Sequence, residues 1–210
     1  MTILNDISTN LQEGNADAVQ DGVEKALASG MKAADILNNG LLMGMSIIGA
    51  KFKNNEVYIP EVLVAAQAMK AGLEKLKPHL SKAGVKARGK IVLGTVEGDI
   101  HDIGKNMVGM LMEGSGFEVV DLGINVTADS FVKAVQEHRP QIVGMSALLT
   151  TTMIEMGKIV KALEKAGVRK QVKVMVGGAP ITNDFAKEIG ADAYEKDAGS
   201  AAEKAKAFVS

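Results

Sequence analysis

The sequence predicts an α/β chain in two parts: an N-terminal four-helix bundle, then a doubly wound domain built on a five-stranded parallel sheet. Three observations carry this. The first eighty residues read as helix only, with Leu, Ile, Val, Met and Ala at three- and four-residue spacing, the period of a helix. From residue 90 onward, short β-branched runs alternate with helical patterns, as in a parallel sheet covered on both faces. Between the two, Ser81–Lys90 (SKAGVKARGK) is polar, basic and glycine-containing, and reads as a linker.

The elements follow in order. Helices are expected near 2–12, 16–29, 32–52 and 60–77, separated by Gly14-Asn15, Ser29-Gly30, Asn54-Asn55 and Pro60. Pro60 suits a first helical turn, where its missing N–H is no loss. Pro78 is expected to end the last helix. The strands are Ile91–Val96, Glu118–Leu122, Gln141–Ser146, Val172–Val176 and a weaker Asp192–Tyr194. Helices near 103–114, 128–138, 152–166, 183–189 and 199–208 alternate with them. Five such units fit a flavodoxin-like fold, whose ligand lies outside the carboxyl ends of the strands at the switch point. The expected boundaries are 1–80 for the helical domain, 81–89 for the linker and 90–210 for the α/β domain.

Composition removes several classes of function. Of 210 residues, 24 are Lys or Arg and 25 Asp or Glu, a formal charge of −1 that argues against general nucleic-acid binding. There is no cysteine, which excludes disulfides, thiolate metal sites, iron–sulfur clusters and cysteine nucleophiles. The first residues lack a basic and an apolar signal region, and no uncharged apolar run approaches the ~18 residues of a membrane span. A cytoplasmic protein without membrane contact is expected. Twenty-three glycines against four prolines suggest a backbone that something approaches closely. Five Phe, two Tyr and no Trp argue against stacking platforms for nucleic acid.

The first strand runs into Thr95-Val96-Glu97-Gly98-Asp99-Ile100-His101-Asp102-Ile103-Gly104-Lys105-Asn106. A histidine flanked by carboxylates, in a glycine-bearing loop at the ligand end of a sheet, is placed for chemistry. The loop alone also fits a helix N-cap, with Asp102 accepting from first-turn amides and His101 merely exposed. A phosphate loop fits poorly, because G-x-x-x-x-G-K-[ST] is absent and three acidic residues repel phosphate. Zinc fits poorly too, since nothing brings His79 and His138 to His101.

The company of the loop decides between these readings. Asp99-x-His101-x-x-Gly104 is followed by Ser146-Ala147-Leu148 after the third strand and by Gly177-Gly178 after the fourth. This order and spacing resembles the cobalamin-binding domain of methionine synthase and methylmalonyl-CoA mutase. Phe52…Tyr58-Ile59-Pro60-Glu61-Val62…Met69…Leu76-Lys77-Pro78 is similar to the four-helix cap before that domain in methionine synthase. The same pairing occurs in free-standing corrinoid proteins of methyltransferase systems acting on methanol, methylamines or aryl methyl ethers. The resemblance spans nearly the whole chain.

It implies a cobalamin or related cobamide bound base-off, with His101 as the lower axial ligand of cobalt. Asp99 would orient the imidazole through its second nitrogen. Thr152 stands where the family's relay has a serine, which keeps the hydroxyl and adds a methyl group. Gly98, Ile100, Asp102, Ile103 and Gly104 complete the cofactor loop. Ser146 and Thr150 match positions lining the channel of the displaced nucleotide, with Leu148 beside them as packing. Gly177 and Gly178 would let the nucleotide tail approach the backbone, or simply turn the chain. Tyr194 and Ala198 lie in a segment similar to the one beside the buried nucleotide, although Tyr194 also suits an edge packing residue. Phe52, Ile59 and Val62 match residues shielding the cobalt-bound methyl group; the bland alternative is bundle core.

The implied function is a methyl carrier cycling between Co(I) and methyl–Co(III), with little activity of its own. Its partners would be a substrate-specific methyltransferase, a second methyltransferase acting on an acceptor such as tetrahydrofolate or a thiol, and a reductive activating protein. The linker would let the cap swing aside at each transfer. The rival class is a cobalamin-dependent sensor or regulator, which normally adds a DNA-binding segment. A mutase subunit and a flavodoxin-like module without cobamide are further alternatives.

Overall fold

The computed structural model describes residues 2–210, and the chain divides between Ala87 and Arg88 into a helical and an α/β unit, the Gly114–Gly116 turn excepted. The helical unit comprises α1 (Ile3–Gln12), α2 (Ala16–Ala28), α3 (Ala33–Ile36), α4 (Met43–Lys53) and α5 (Ile59–Lys82). A π-helical stretch at Leu37–Leu42 joins α3 to α4, so they form one rod and the unit has four. The first two helices start at side-chain caps: Thr2 accepts from the Asn5 N–H and Asn15 from the Ala18 N–H. At the start of α5, the Tyr58 N–H donates to Glu61 Oε2 at 2.9 Å.

The inward stripe of α5 is Val62, Ala65, Ala68, Met69, Gly72 and Leu76, all buried. Glycine is required on it: a Cβ at Gly72 would stand 2.7 Å from Leu41 Cδ2 and 2.9 Å from Val19 Cγ1. Ala33–Lys53 has the length and apolarity of a membrane span, contrary to the expectation from uncharged runs. Its Ile36, Leu41, Met45 and Ile48 are nevertheless buried within the protein.

Two sequence expectations need correction here. Helix α5 does not stop at Pro78 but continues to Lys82, with the Ala83 N–H bonding to the His79 carbonyl at 3.0 Å. Pro78 removes one donor, and the carbonyl it would have met belongs to exposed Glu74, which water can serve. The segment outside regular structure is therefore 83–89. Val62 is fully buried on the inward stripe, so it is a core residue rather than a shield. Ile59, 43% exposed, and the partly buried Phe52 do reach the surface.

In the α/β unit, β1 (Lys90–Thr95), β2 (Glu118–Asp121), β3 (Ile142–Ser146), β4 (Lys173–Gly177) and the two-residue β5 (Ala193–Tyr194) form one parallel sheet. Its order is β2-β1-β3-β4-β5. The connecting helices are α6 (Ile103–Glu113), α7 (Ala128–His138), α8 (Ile154–Lys165), α9 (Asn183–Glu188) and α10 (Ala198–Phe208). Alternation along the strands separates two cores. Ile91, Ile142 and Met175 pack with Met112, Phe117, Ala201 and Ala205 on the side of α6 and α10. Val92, Val143, Val174 and Val176 pack with Phe131, Val135, Met156 and Ile159 on the side of α7 and α8. The chain reverses direction across the sheet between β1 and β3, so the loops leaving these strands flank the switch point.

Candidate functional site

The loop after β1 carries Asp99 and His101, and the loop after β3 carries Ser146 to Thr152; the fold brings the two together. Asp99 is completely buried. Its Oδ2 accepts from the Thr152 hydroxyl at 2.6 Å and from the Leu148 N–H at 2.8 Å. Its Oδ1 accepts from the His101 N–H at 3.1 Å and lies 2.7 Å from His101 Nδ1. Burial pushes the carboxyl upward, but the bonds from Thr152, Leu148 and His101 outweigh it and hold the group well below the ordinary carboxylate range.

An ionised carboxylate only accepts, so Nδ1 must be the donor. The neutral ring then keeps its lone pair on Nε2, pointing away from Asp99. With the His101 side chain 46% exposed, that nitrogen is open to a metal. The ring is fixed along the backbone as well: the buried Thr95 hydroxyl donates to the His101 carbonyl at 3.1 Å.

Among the described residues no three His, Cys, Asp or Glu side chains group to hold a bare ion. His101 thus suits a metal that brings its other ligands with it. The surroundings agree. Ile100 and Ile103 are 69% and 72% exposed, and Leu148 is 43% exposed, three apolar side chains at the two loops that carry His101 and Thr152 at the ligand end of the sheet. Single exposed apolar residues mean little; three at the loops that carry a half-exposed imidazole suit a large apolar macrocycle.

The remaining expected residues sort by position. Gly98 takes a φ of +79°, and a Cβ there would lie 3.5 Å from Thr152 Cγ2, so the extra methyl of Thr152 faces the space above a glycine. The Asp102 carboxylate accepts from the Asn106 side chain at 3.0 Å. Gly104 has open space where a Cβ would stand. Ser146 ends β3 partly buried, and Thr150 is exposed in the loop beyond. Leu148 is not the packing residue expected, because its side chain is half exposed and its contribution is the N–H given to Asp99.

A Cβ at Gly178 would stand 1.8 Å from the Ala147 carbonyl oxygen, at a φ of +129°. Glycine is required there by the packing of two loops, which favours the turn reading over the ligand reading. Gly177 is less tightly held, its nearest neighbour being the Glu195 carbonyl at 3.2 Å. Tyr194 is partly buried against the core of the α7 and α8 face. Ala198 is buried in the first turn of α10, behind an Asp197 cap that accepts from the Ser200 N–H at 2.7 Å.

Thr95, the Leu148 N–H and Asn125 also serve the site, and no motif in the sequence singles them out. Asn125, at φ +53°, accepts from the Gly98 N–H at 2.8 Å and donates its own N–H to the Asp99 carbonyl at 3.0 Å. Only its residue type hinted at this, since Asn tolerates the left-handed region better than most.

Comparison with known proteins follows the same division. The B12 binding domain profile matches residues 89–205, and a second B12 binding domain profile matches residues 3–77. The trimethylamine corrinoid protein 2 of Methanosarcina mazei is 44% identical over 200 residues, covering 94% of this chain and 92% of its own. A corrinoid protein of Desulfitobacterium hafniense is 40% identical, covering 98% and 96%. Among solved structures, the methanol:cobalamin methyltransferase complex of Methanosarcina barkeri superimposes with a TM-score of 0.88 at 31% identity, over 99% of this chain and 79% of that one. A cobalamin-binding protein from D. hafniense gives 0.82 at 35% identity, over 99% and 98%. The chain belongs to the cobalamin-binding corrinoid proteins of methyltransferase systems.

Proposed function

We propose that the chain is a methyl carrier that binds its cobamide base-off, with His101 Nε2 as the lower axial ligand of cobalt. It passes a methyl group from a substrate-specific methyltransferase to a second methyltransferase acting on tetrahydrofolate or a thiol. The observation that carries this is the fully buried Asp99 carboxylate held 2.7 Å from Nδ1 of a half-exposed histidine, where it accepts that nitrogen's hydrogen bond. A bound cobamide supplies a cobalt that takes up and gives up a methyl group.

The chain's own residues do the rest. Asp99 fixes the tautomer and the plane of the ring, and the Thr152 hydroxyl and Leu148 N–H keep Asp99 charged and immobile. Ser146, Thr150, Gly177, Tyr194 and Ala198 are the residues we assign to the displaced nucleotide. In the helical unit, the surface apolar residues Phe52 and Ile59 are assigned to shielding the reactive face of the cofactor from water. Residues 83–89 serve as the linker that lets a partner enzyme reach it. A reductive activating protein would restore a cofactor lost to oxidation.

Methylated amines are the donors to test first, because relatives 42–44% identical over nearly the whole chain are the dimethylamine and trimethylamine corrinoid proteins. The anaerobic, reduced holoprotein is mixed with purified tri-, di- or monomethylamine methyltransferase and its amine, and the absorbance of the corrin is followed. Methylation that needs both the amine and its methyltransferase is expected. A holoprotein that stays unmethylated with these enzymes and with the methanol enzyme would refute the carrier reading.

A further inference from the structure

Lys105 is the only buried lysine among the described residues, 3% exposed in the first turn of α6. Its Nζ lies 2.5 Å from Asp121 Oδ2 at the end of β2 and 2.6 Å from Asn106 Oδ1. An ion pair is no efficient way to pack a helix, since apolar residues of similar volume do as well or better. Helix α6 already buries Met107, Leu111 and Met112. What distinguishes this pair is where its bonds lead.

One branch runs through Asn106, whose Nδ2 donates to Asp102 Oδ2 at 3.0 Å and whose N–H donates to the Asp102 carbonyl at 2.8 Å. Asp102 is the residue after His101. The other branch runs through Asp121, whose Oδ1 accepts from the Gly123 N–H at 2.9 Å. Two residues further, Asn125 grips the Gly98 N–H and the Asp99 carbonyl, on the near side of His101. We propose that Lys105, with Asp121, is a positioning residue for His101, closing a frame around both ends of the Asp99–Asp102 loop so that Nε2 is presented at one place. This rests on the reading of His101 as the lower axial ligand. Asp99 sets which nitrogen carries the proton and the plane of the ring, and Lys105 holds the loop that carries the ring in place.

Lys105→Met tests it without stranding a buried charge, because Asp121 is 45% exposed and water can solvate it. Asn106→Ala cuts the branch to Asp102 and leaves the Lys105–Asp121 pair intact, so it decides the matter if Lys105→Met fails to fold. Folding is checked by circular dichroism. The readout is the electron paramagnetic resonance of the Co(II) cobalamin complex, in which nitrogen hyperfine splitting from histidine measures the His-on share. In each folded variant the ratio of His-on to His-off should fall about tenfold, the low end of the range for changes behind a metal ligand. A folded variant with wild-type splitting would overturn the proposal. His101→Ala is the control: if splitting survives there, the nitrogen is not His101, and the lower-ligand reading falls together with this one.

Discussion

Replacing Asp99 by Asn tests the reasoning at its narrowest point, since the change removes one charge at nearly constant shape. Four donors converge on the carboxylate: the His101 N–H and Nδ1 on one oxygen, the Leu148 N–H and Thr152 hydroxyl on the other. An amide accepts at only one of its two ends. If its NH2 faces Leu148, the Thr152 hydroxyl can turn to the Leu149 carbonyl, 3.1 Å away, but the Leu148 N–H has nowhere to go. If the NH2 faces His101, the ring can answer by accepting at Nδ1, but then the proton sits on Nε2 and the lone pair for cobalt is gone. Each orientation opposes one fixed backbone donor, at a cost of about 1–3 kcal/mol. In the second, ligation should weaken by roughly 10–100-fold as well. Nitrogen NMR of labelled histidine in the cofactor-free protein distinguishes the tautomers, and urea unfolding gives the stability change. The wild type should show the Nδ1–H tautomer, and Asp99→Asn should lose stability in either orientation, with the Nε2–H tautomer appearing in the second. A folded variant that keeps wild-type stability would refute the argument.

The same carboxylate predicts a pH dependence. Its folded-state pKa lies below its ordinary value of 3.8, so its stabilisation is complete above that value and is lost as pH falls toward the folded one. The urea-midpoint gap between wild type and Asp99→Asn should therefore be flat near neutrality and shrink below about pH 4. A gap that does not change with pH would contradict it. Thr152→Ser should leave cobalamin retention on gel filtration near wild type, because only the methyl facing Gly98 is lost, whereas Thr152→Val should weaken it by about tenfold. Equal retention in the two would show that the hydroxyl does not matter. Gly178→Ala should destabilise the protein to urea by about 1–3 kcal/mol or more, since its Cβ would meet the Ala147 carbonyl.

Strands β1, β3 and β4 were legible because burial on both faces leaves short, nearly continuous apolar runs rich in Ile and Val. Asp99, His101 and Thr152 were legible through their spacing, which two loops at one switch point convert into hydrogen bonds. Val62 shows a resemblance overruled by periodicity: its spacing to Ala65 and Met69 already placed it on the inward stripe. The Leu148 N–H was not legible, since a backbone donor leaves no trace in residue type. Lys105 was hidden for a different reason. A lysine in a first helical turn ordinarily lies in water, and only the fold reveals that Asp121, sixteen positions away, reaches it. Pro78 does not end α5, because a proline costs little where the carbonyl it abandons is already wet.

The central claim is that His101 binds cobalt in the cobamide-loaded protein. The most direct measurement is the electron paramagnetic resonance of the Co(II) form, made with protein grown on ordinary and on nitrogen-15 histidine. Ligation by His101 predicts that each cobalt line splits into a triplet with the natural isotope and a doublet with the heavy one. A triplet unchanged by labelling would mean that the cobamide's own base holds the lower face, and no splitting at all would mean that nothing nitrogenous does. Either result would contradict the account.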